Sequence, residues 1–280
     1  MLDRFFQLQE RGTDFRREIL AGATTVLTRA YIIVVQPAVL SGEMFGTETG
    51  LDFGAVTTAT CLAAALATAV MALYARTPIA QAPGMGENFF FVLTVIPAAA
   101  AAGHANAWQV ALGVVFVAGL LFLLITFLGM RKLLSDAISP SLRAGIAGGI
   151  GLFIAFIGLR NAGLVLHAPG TLVRLNPDWL SPGLLVFFCG LIAAAALHAR
   201  KVRGSILWGI AAATLVAIVL QAVLPDSGGP AMDGFVIADG ILAAPPSISP
   251  TLFKMDIAAA LSLAMLPYVL VLLLMDFFDT

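Results

Sequence analysis

An all-helical, polytopic membrane protein is what this sequence predicts, and three observations carry that expectation: apolar runs of about 20 residues, scarce charge, and basic residues that alternate between the runs. Hydrophobic residues make up 60% of the 280 and charged residues 11%, against roughly 45–50% and 25% in soluble domains. Mean hydropathy is +0.99. A run of about 20 apolar residues matches the ~30 Å hydrocarbon layer, so the bilayer is the solvent this chain is built for. A formal net charge of −1 offers no field for nucleic acid and none for a basic partner.

Taken in order, residues 1–18 are charged, precede any long apolar run and lack a small-residue cleavage site, so they read as a cytoplasmic N-terminal segment rather than a signal peptide. Eight spans follow, at 19–41, 54–75, 79–102, 107–129, 143–166, 182–199, 205–224 and 257–280. Arg4, Arg11, Arg16, Arg17, Arg76, Arg131, Lys132, Arg143, Arg200, Lys201 and Arg203 fall on one side of these spans. Arg160, Arg174 and Lys254 fall on the other, and Arg29 lies inside a span. Basic residues concentrate in cytoplasmic loops, which places the N-terminus in the cytoplasm and the loops 42–53, 103–105, 167–181 and 225–256 outside.

The longest of these loops, 225–256, is rich in Pro and Gly and divides seven spans from an eighth. The expected organisation is thus 19–129 (spans 1–4), 130–224 (spans 5–7), the outer loop 225–256 and span 8 at 257–280. An odd number of spans before a divider suits an inverted repeat, because the second half then starts from the opposite side. Cys61 and Cys189 both sit in apolar runs and read as small packing residues. His104, His167 and His198 are scattered, so no metal site is expected. The run Gly145 to Gly151 lies in an apolar span and reads as close helix packing, not a dinucleotide loop.

Two constellations could carry chemistry. In RTPIAQAPGMGENFFF, Pro78, Pro83, Gly84 and Gly86 precede Glu87 and Asn88. One reading takes the chain extended toward the bilayer middle and starts a half-helix near Met85, whose free N–H groups face a ligand. The other makes 76–87 an ordinary cytoplasmic loop. Phe89, Phe90 and Phe91 either stack on a flat ligand, with Phe89 foremost, or pack. In the terminal MDFFDT, Asp276 and Asp279 stand i, i+3 on an apolar helix. They form a polar pathway or proton relay, or they sit at the cytoplasmic interface. Arg29 is a pore charge, a partner for Glu87 or a residue that snorkels. Gln36 and Pro37 mark a kink or a ligand contact.

The segments at 10–41, 52–68, 78–91, 108–124, 141–163 and 275–280, with APGMGEN and FDT the most telling, resemble the AzgA-like purine permeases of the nucleobase/cation symporter 2 family. That resemblance implies fourteen spans in two inverted seven-span repeats, of which this chain holds the first repeat plus span 8, with span 3 broken by a short extended stretch. It implies proton-coupled uptake of adenine, guanine or hypoxanthine, no enzymatic chemistry, no cofactor beyond the coupling proton, and residence in a bacterial inner membrane. A homodimer is among the expected assemblies. Spans 1–4 and 8 would belong to a core domain and spans 5–7 to a gate domain. By resemblance Asp279 is the carboxylate facing the purine, Gly84, Gly86 and Asn88 shape the pocket, and Asp276 supports rather than contacts; from the residues themselves, Phe89 is expected beside the substrate and Glu87 and Arg29 to support binding or proton coupling. Arg29 departs from the apolar residue usual there. The chain ends within the eighth-span motif, so a portion of a longer transporter is expected, with the second broken helix, span 10, outside it. The alternatives are xanthine, uracil or an anion on the same fold, or a non-transporting membrane interaction protein.

Overall fold

The structure is a computed structural model that describes residues 6, 8–10, 12–129, 139–223 and 244–279; for Pro140, Arg143, Phe278 and Asp279 only the backbone is described. The described residues are mostly helical. Among them, six helices are long and apolar enough to cross a membrane: Phe15–Leu40, Phe53–Leu73, Ala107–Phe127, Ala144–Asn161, Pro182–Ala199 and Ser205–Val223. Two shorter apolar helices, Met85–Ala101 and Leu266–Phe277, lie where the third and eighth spans are expected. Exposed Leu, Val, Ile and Phe side chains such as Leu66, Leu120, Leu152 and Val219 cover these helices, as lipid-facing surfaces require.

The chain forms two compact units that interleave along the sequence: 1–33, 61–82 and 156–244, and 34–60, 83–155 and 245–280. In the first, α1 (Phe15–Arg29) begins at Asp14, whose carboxylate accepts from the Arg17 N–H at 2.8 Å, a normal N-cap. Ala30 interrupts the helical run before α2 (Ile32–Leu40). The C-terminal part of α3 (Phe53–Leu73) also belongs here, followed by residues 76–84 without helix. Prolines 78 and 83 explain that gap, since each removes an N–H and keeps its predecessor out of the helical region.

Two further helices of this unit, introduced here as α8 (Pro182–Ala199) and α9 (Ser205–Val223), pack closely because their contact positions are small. A Cβ on Gly209 would fall 2.5 Å from that of Ala194, and one on Gly190 would fall 2.8 Å from that of Ala213. Gly190/Ala194 and Gly209/Ala213 are i, i+4 pairs, the small-xxx-small pattern that lets backbones approach in lipid. Ahead of them, α7 (Pro140–Asn161) ends at a hairpin of β1 (Val165–Ala168) and β2 (Leu172–Leu175), antiparallel with Val165 opposite Leu175. This hairpin is a departure from the all-helical expectation; the alternating VLHA and LVRL segments around Pro169 and Gly170 account for it.

The second unit is built around α6 (Ala107–Phe127), whose Val110, Ala111, Gly113, Val114, Val117 and Ala118 are buried. Leading into it, α4 (Met85–Phe90), a π-helical segment (Phe91–Val95) and α5 (Ile96–Ala101) run as one stack. Against α6 lie α10 (Ile257–Ala260), capped by the Asp256 carboxylate on the Ala259 N–H at 2.9 Å, and α11 (Leu266–Asp279). Gly113 is required here, because a Cβ would run into the Asp256 carbonyl and fall 2.9 Å from the Ala260 Cβ. The eighth span is thus not one helix over 257–280 as expected. It breaks between Ala260 and Leu266, where Pro267 starts the second piece at the position in which its missing N–H does least harm.

Candidate functional site

The second unit holds a half-open cavity of about 190 Å³. Four elements line it: Gln36 and Leu40 from α2, Glu87, Asn88 and Phe91 from α4 and the π segment, Leu112, Val115 and Ala118 from α6, and Leu272 and Asp276 from α11. The volume lies below the ~300–1,000 Å³ of sites for drug-sized ligands, which suits a small molecule. Apolar walls bounded by two amides and two carboxylates give a site that grips faces by contact and reads edges by hydrogen bonds.

Local sequence explains the placement. Glu87, Asn88 and Phe91 stand at i, i+1 and i+4, one face of a helix. Glu87 also lies in the first turn of α4, where the helix dipole favours a carboxylate. Phe91 closes the last turn of α4, its N–H donating back to the Glu87 carbonyl, and is buried; a π-helical segment over Phe91–Val95 follows, and single π turns recur at functional sites. Leu272 and Asp276 share a face of α11 at i, i+4. On α2, Pro37 lies inside the helix immediately after Gln36 and is fully buried.

The polar centre of the cavity is an amide pair. Gln36 Nε2 donates to Asn88 Oδ1 at 3.2 Å, and Asn88 Nδ2 donates in return to Gln36 Oε1. Asn88 Nδ2 also lies 3.7 Å from Met85 Sδ. Gln36 is only 6% exposed, so this pairing satisfies groups that would be costly to bury unpaired. Among the described residues, no three His, Cys, Asp or Glu side chains converge as metal ligands.

The residues singled out from sequence separate into several places. Glu87, Asn88 and Asp276 come together in the cavity. Gly84 is the extended N-cap residue of α4, and Gly86 is buried where a Cβ would come within 3.1 Å of Ile150 Cγ2. Phe89, 3% exposed, is held edge-on by Phe45 and Phe153, each at 5.9 Å between ring centres, and is not among the lining residues. Phe91 lines the cavity instead. The sequence carried that signal: Phe91 shares a helical face with Glu87, and Phe89 does not. Asp279 closes α11, and its side chain lies outside the described residues.

Arg29 lies in the first unit, where its Nη1 donates to the Ala80 carbonyl at 2.5 Å. The Ala80 N–H donates to Thr25 Oγ1 at 3.0 Å and the Gln81 N–H to Thr68 Oγ1 at 2.9 Å. Ala80 and Gln81 in this non-helical segment are thereby strapped to α1 and α3 through their own peptide groups.

Residues 16–280 match the profile of a family described as the Permease family. A permease of Methanocaldococcus jannaschii is 41% identical over 279 residues, covering 100% of this chain and 58% of the relative. The adenine permease AdeP of Escherichia coli is 35% identical over 280 residues, covering 100% and 57%. The guanine/hypoxanthine permease PbuG of Bacillus subtilis is 37% identical over 281 residues, covering 99% and 60%. The chain thus spans somewhat over half the length of these relatives.

Proposed function

This chain belongs to the Permease family, in its purine-permease branch, and we propose that it carries the substrate cavity of a proton-coupled purine nucleobase transporter. It is a multi-pass membrane protein and a permease, not an enzyme. The observation that carries the purine reading is the cavity of the second unit, where Gln36, Glu87, Asn88 and Asp276 surround a space for a small flat ring beside Phe91. Amides and carboxylates accept the N–H groups of a purine, and the aromatic ring covers its face. Adenine, guanine and hypoxanthine are the proposed substrates, in line with the names of the relatives.

In the same reading the third span is broken. Residues 76–84 lead without helix to the N-terminus of α4 at membrane depth, and the strapping of Ala80 and Gln81 in the first unit supplies hydrogen-bond partners that non-helical backbone needs there. Asp276 supplies the coupling proton site, since a carboxylate in an apolar wall changes its proton affinity when a ligand covers it. Asp279 stands one turn further and is proposed as a second carboxylate for the purine or the relay. The N-terminus faces the cytoplasm of a bacterial inner membrane, and the seven-plus-seven repeat of the family organises the whole transporter. An anion is the weaker alternative, because two carboxylates line the cavity.

Uptake of radiolabelled hypoxanthine by cells lacking their own purine permeases and expressing the complete gene product tests this reading. A protonophore and Asp276→Asn should each remove accumulation, and adenine or guanine should compete where sulfate does not. Accumulation indifferent to the protonophore removes the coupling mechanism; competition by sulfate alone removes the purine.

A further inference from the structure

We propose that Gln36 competes with the nucleobase for Asn88: its carboxamide holds the donor–acceptor face of Asn88 that an N–H beside a carbonyl on the substrate takes in exchange. The inference rests on the purine reading above and names the ligand edge that the cavity recognises. Gln36 and Asn88 form a reciprocal pair, each donating to the other's oxygen. That geometry is a ring of two near-parallel N–H···O bonds, and the lactam edge of hypoxanthine, N1–H next to C6=O, presents the same donor and acceptor at the same spacing as a primary amide. A molecule that fits Asn88 through this edge must displace Gln36, because both meet in one cavity.

The exchange is affordable only if the displaced amide finds another partner, since a buried unpaired amide is destabilising. Glu87 and Asp276, both lining the same cavity, offer carboxylate oxygens that accept from Nε2. One amide pair is then traded for another, so the edge sets selectivity while burial of the ring between Phe91 and the α6 wall sets affinity. Pro37 immediately beyond Gln36 weakens α2 at this point, because the Ile33 carbonyl loses its helical donor, and gives Gln36 the local freedom that the exchange needs.

Binding of radiolabelled hypoxanthine to the full chain in membranes tests this, with competition by 1-methylhypoxanthine, whose N1–H is blocked. In the wild type, 1-methylhypoxanthine should compete at least roughly tenfold more weakly than hypoxanthine, as expected for loss of a buried hydrogen-bonded edge. Gln36→Met keeps volume and removes the competitor, so hypoxanthine should bind roughly 3- to 10-fold more tightly while the discrimination persists. Unchanged or weaker binding by Gln36→Met overturns the exchange, as does loss of discrimination. Should that variant fail to fold, the wild-type comparison stands alone, and equal competition by the two compounds overturns the proposal. A wild type that binds hypoxanthine but fails these tests leaves the purine reading intact; one that binds neither hypoxanthine nor adenine overturns both.

Discussion

Two phenylalanines two positions apart have opposite duties. Phe89 packs between Phe45 and Phe153 and Phe91 faces the cavity, so their truncations should separate in their effect on KM. Phe91→Ala should raise the KM for hypoxanthine by roughly fivefold or more, since stacking on a base is worth ~1–3 kcal/mol, in addition to the stability that truncating a buried aromatic removes. Phe89→Ala should destabilise the purified protein by ~3–5 kcal/mol as a buried aromatic, seen as a lower melting temperature, and leave KM unaltered in the protein that remains folded. A raised KM in Phe89→Ala with an unaltered KM in Phe91→Ala would contradict the placement. The sequence exposed the ingredients of the site, because Glu87, Asn88 and Asp276 are polar groups in apolar helices. It did not expose the Gln36–Asn88 pair, which joins positions 52 residues apart and depends on how α2 and α4 meet. The choice of Phe91 over Phe89 was readable from helical spacing, although the π segment that follows it has no composition signature.

At the scale of elements, the segment 76–84 shows how side chains replace a helix as hydrogen-bond partners. Arg29, Thr25 and Thr68 together serve the Ala80 carbonyl, the Ala80 N–H and the Gln81 N–H. This gives Arg29 a defined structural task that sequence left open among three roles, and explains why a cation is tolerated at the C-terminal end of α1, where the dipole also favours it. Thr25→Val should speed amide hydrogen exchange of the 76–84 peptide by about fivefold, the effect of one lost hydrogen bond of ~1 kcal/mol, and Arg29→Met should act in the same direction. Exchange unchanged in both would show that the strap does not hold the segment. The α8–α9 contact makes a second prediction: Gly209→Leu, which forces a branched side chain against Ala194, should cost ~1–3 kcal/mol of stability or more. Gly209→Ala should cost less. The lack of helix over 78–84 was legible because Pro leaves few options. The interruption between Ala260 and Leu266 was not, since its residues read as a continuous apolar run and only Pro267 hints at it.

For the whole molecule, membrane residence was legible from composition alone, and six of the eight expected spans correspond to helices long enough to cross. The two that fall short, at 85–101 and 266–277, both contribute cavity-lining residues. That coincidence has a physical basis: non-helical backbone is tolerated within a membrane protein where protein or a polar cavity satisfies it, so short helices and polar side chains collect in one place. The basic-residue alternation predicts that a cysteine placed in the 42–53 loop is labelled by an impermeant maleimide from outside intact cells, and one near the N-terminus only after permeabilisation. The opposite pattern would invert the topology.

The central claim is that the cavity between α2, α4, α6 and α11 holds the nucleobase, and photo-crosslinking tests it most directly. The full chain in membranes would be irradiated with radiolabelled 8-azidoadenine and its adducts mapped by mass spectrometry. The account predicts adducts within 36–40, 85–91, 112–118 or 272–276 that excess hypoxanthine suppresses and sulfate does not. Adducts confined to other segments, or unaffected by hypoxanthine, would contradict it.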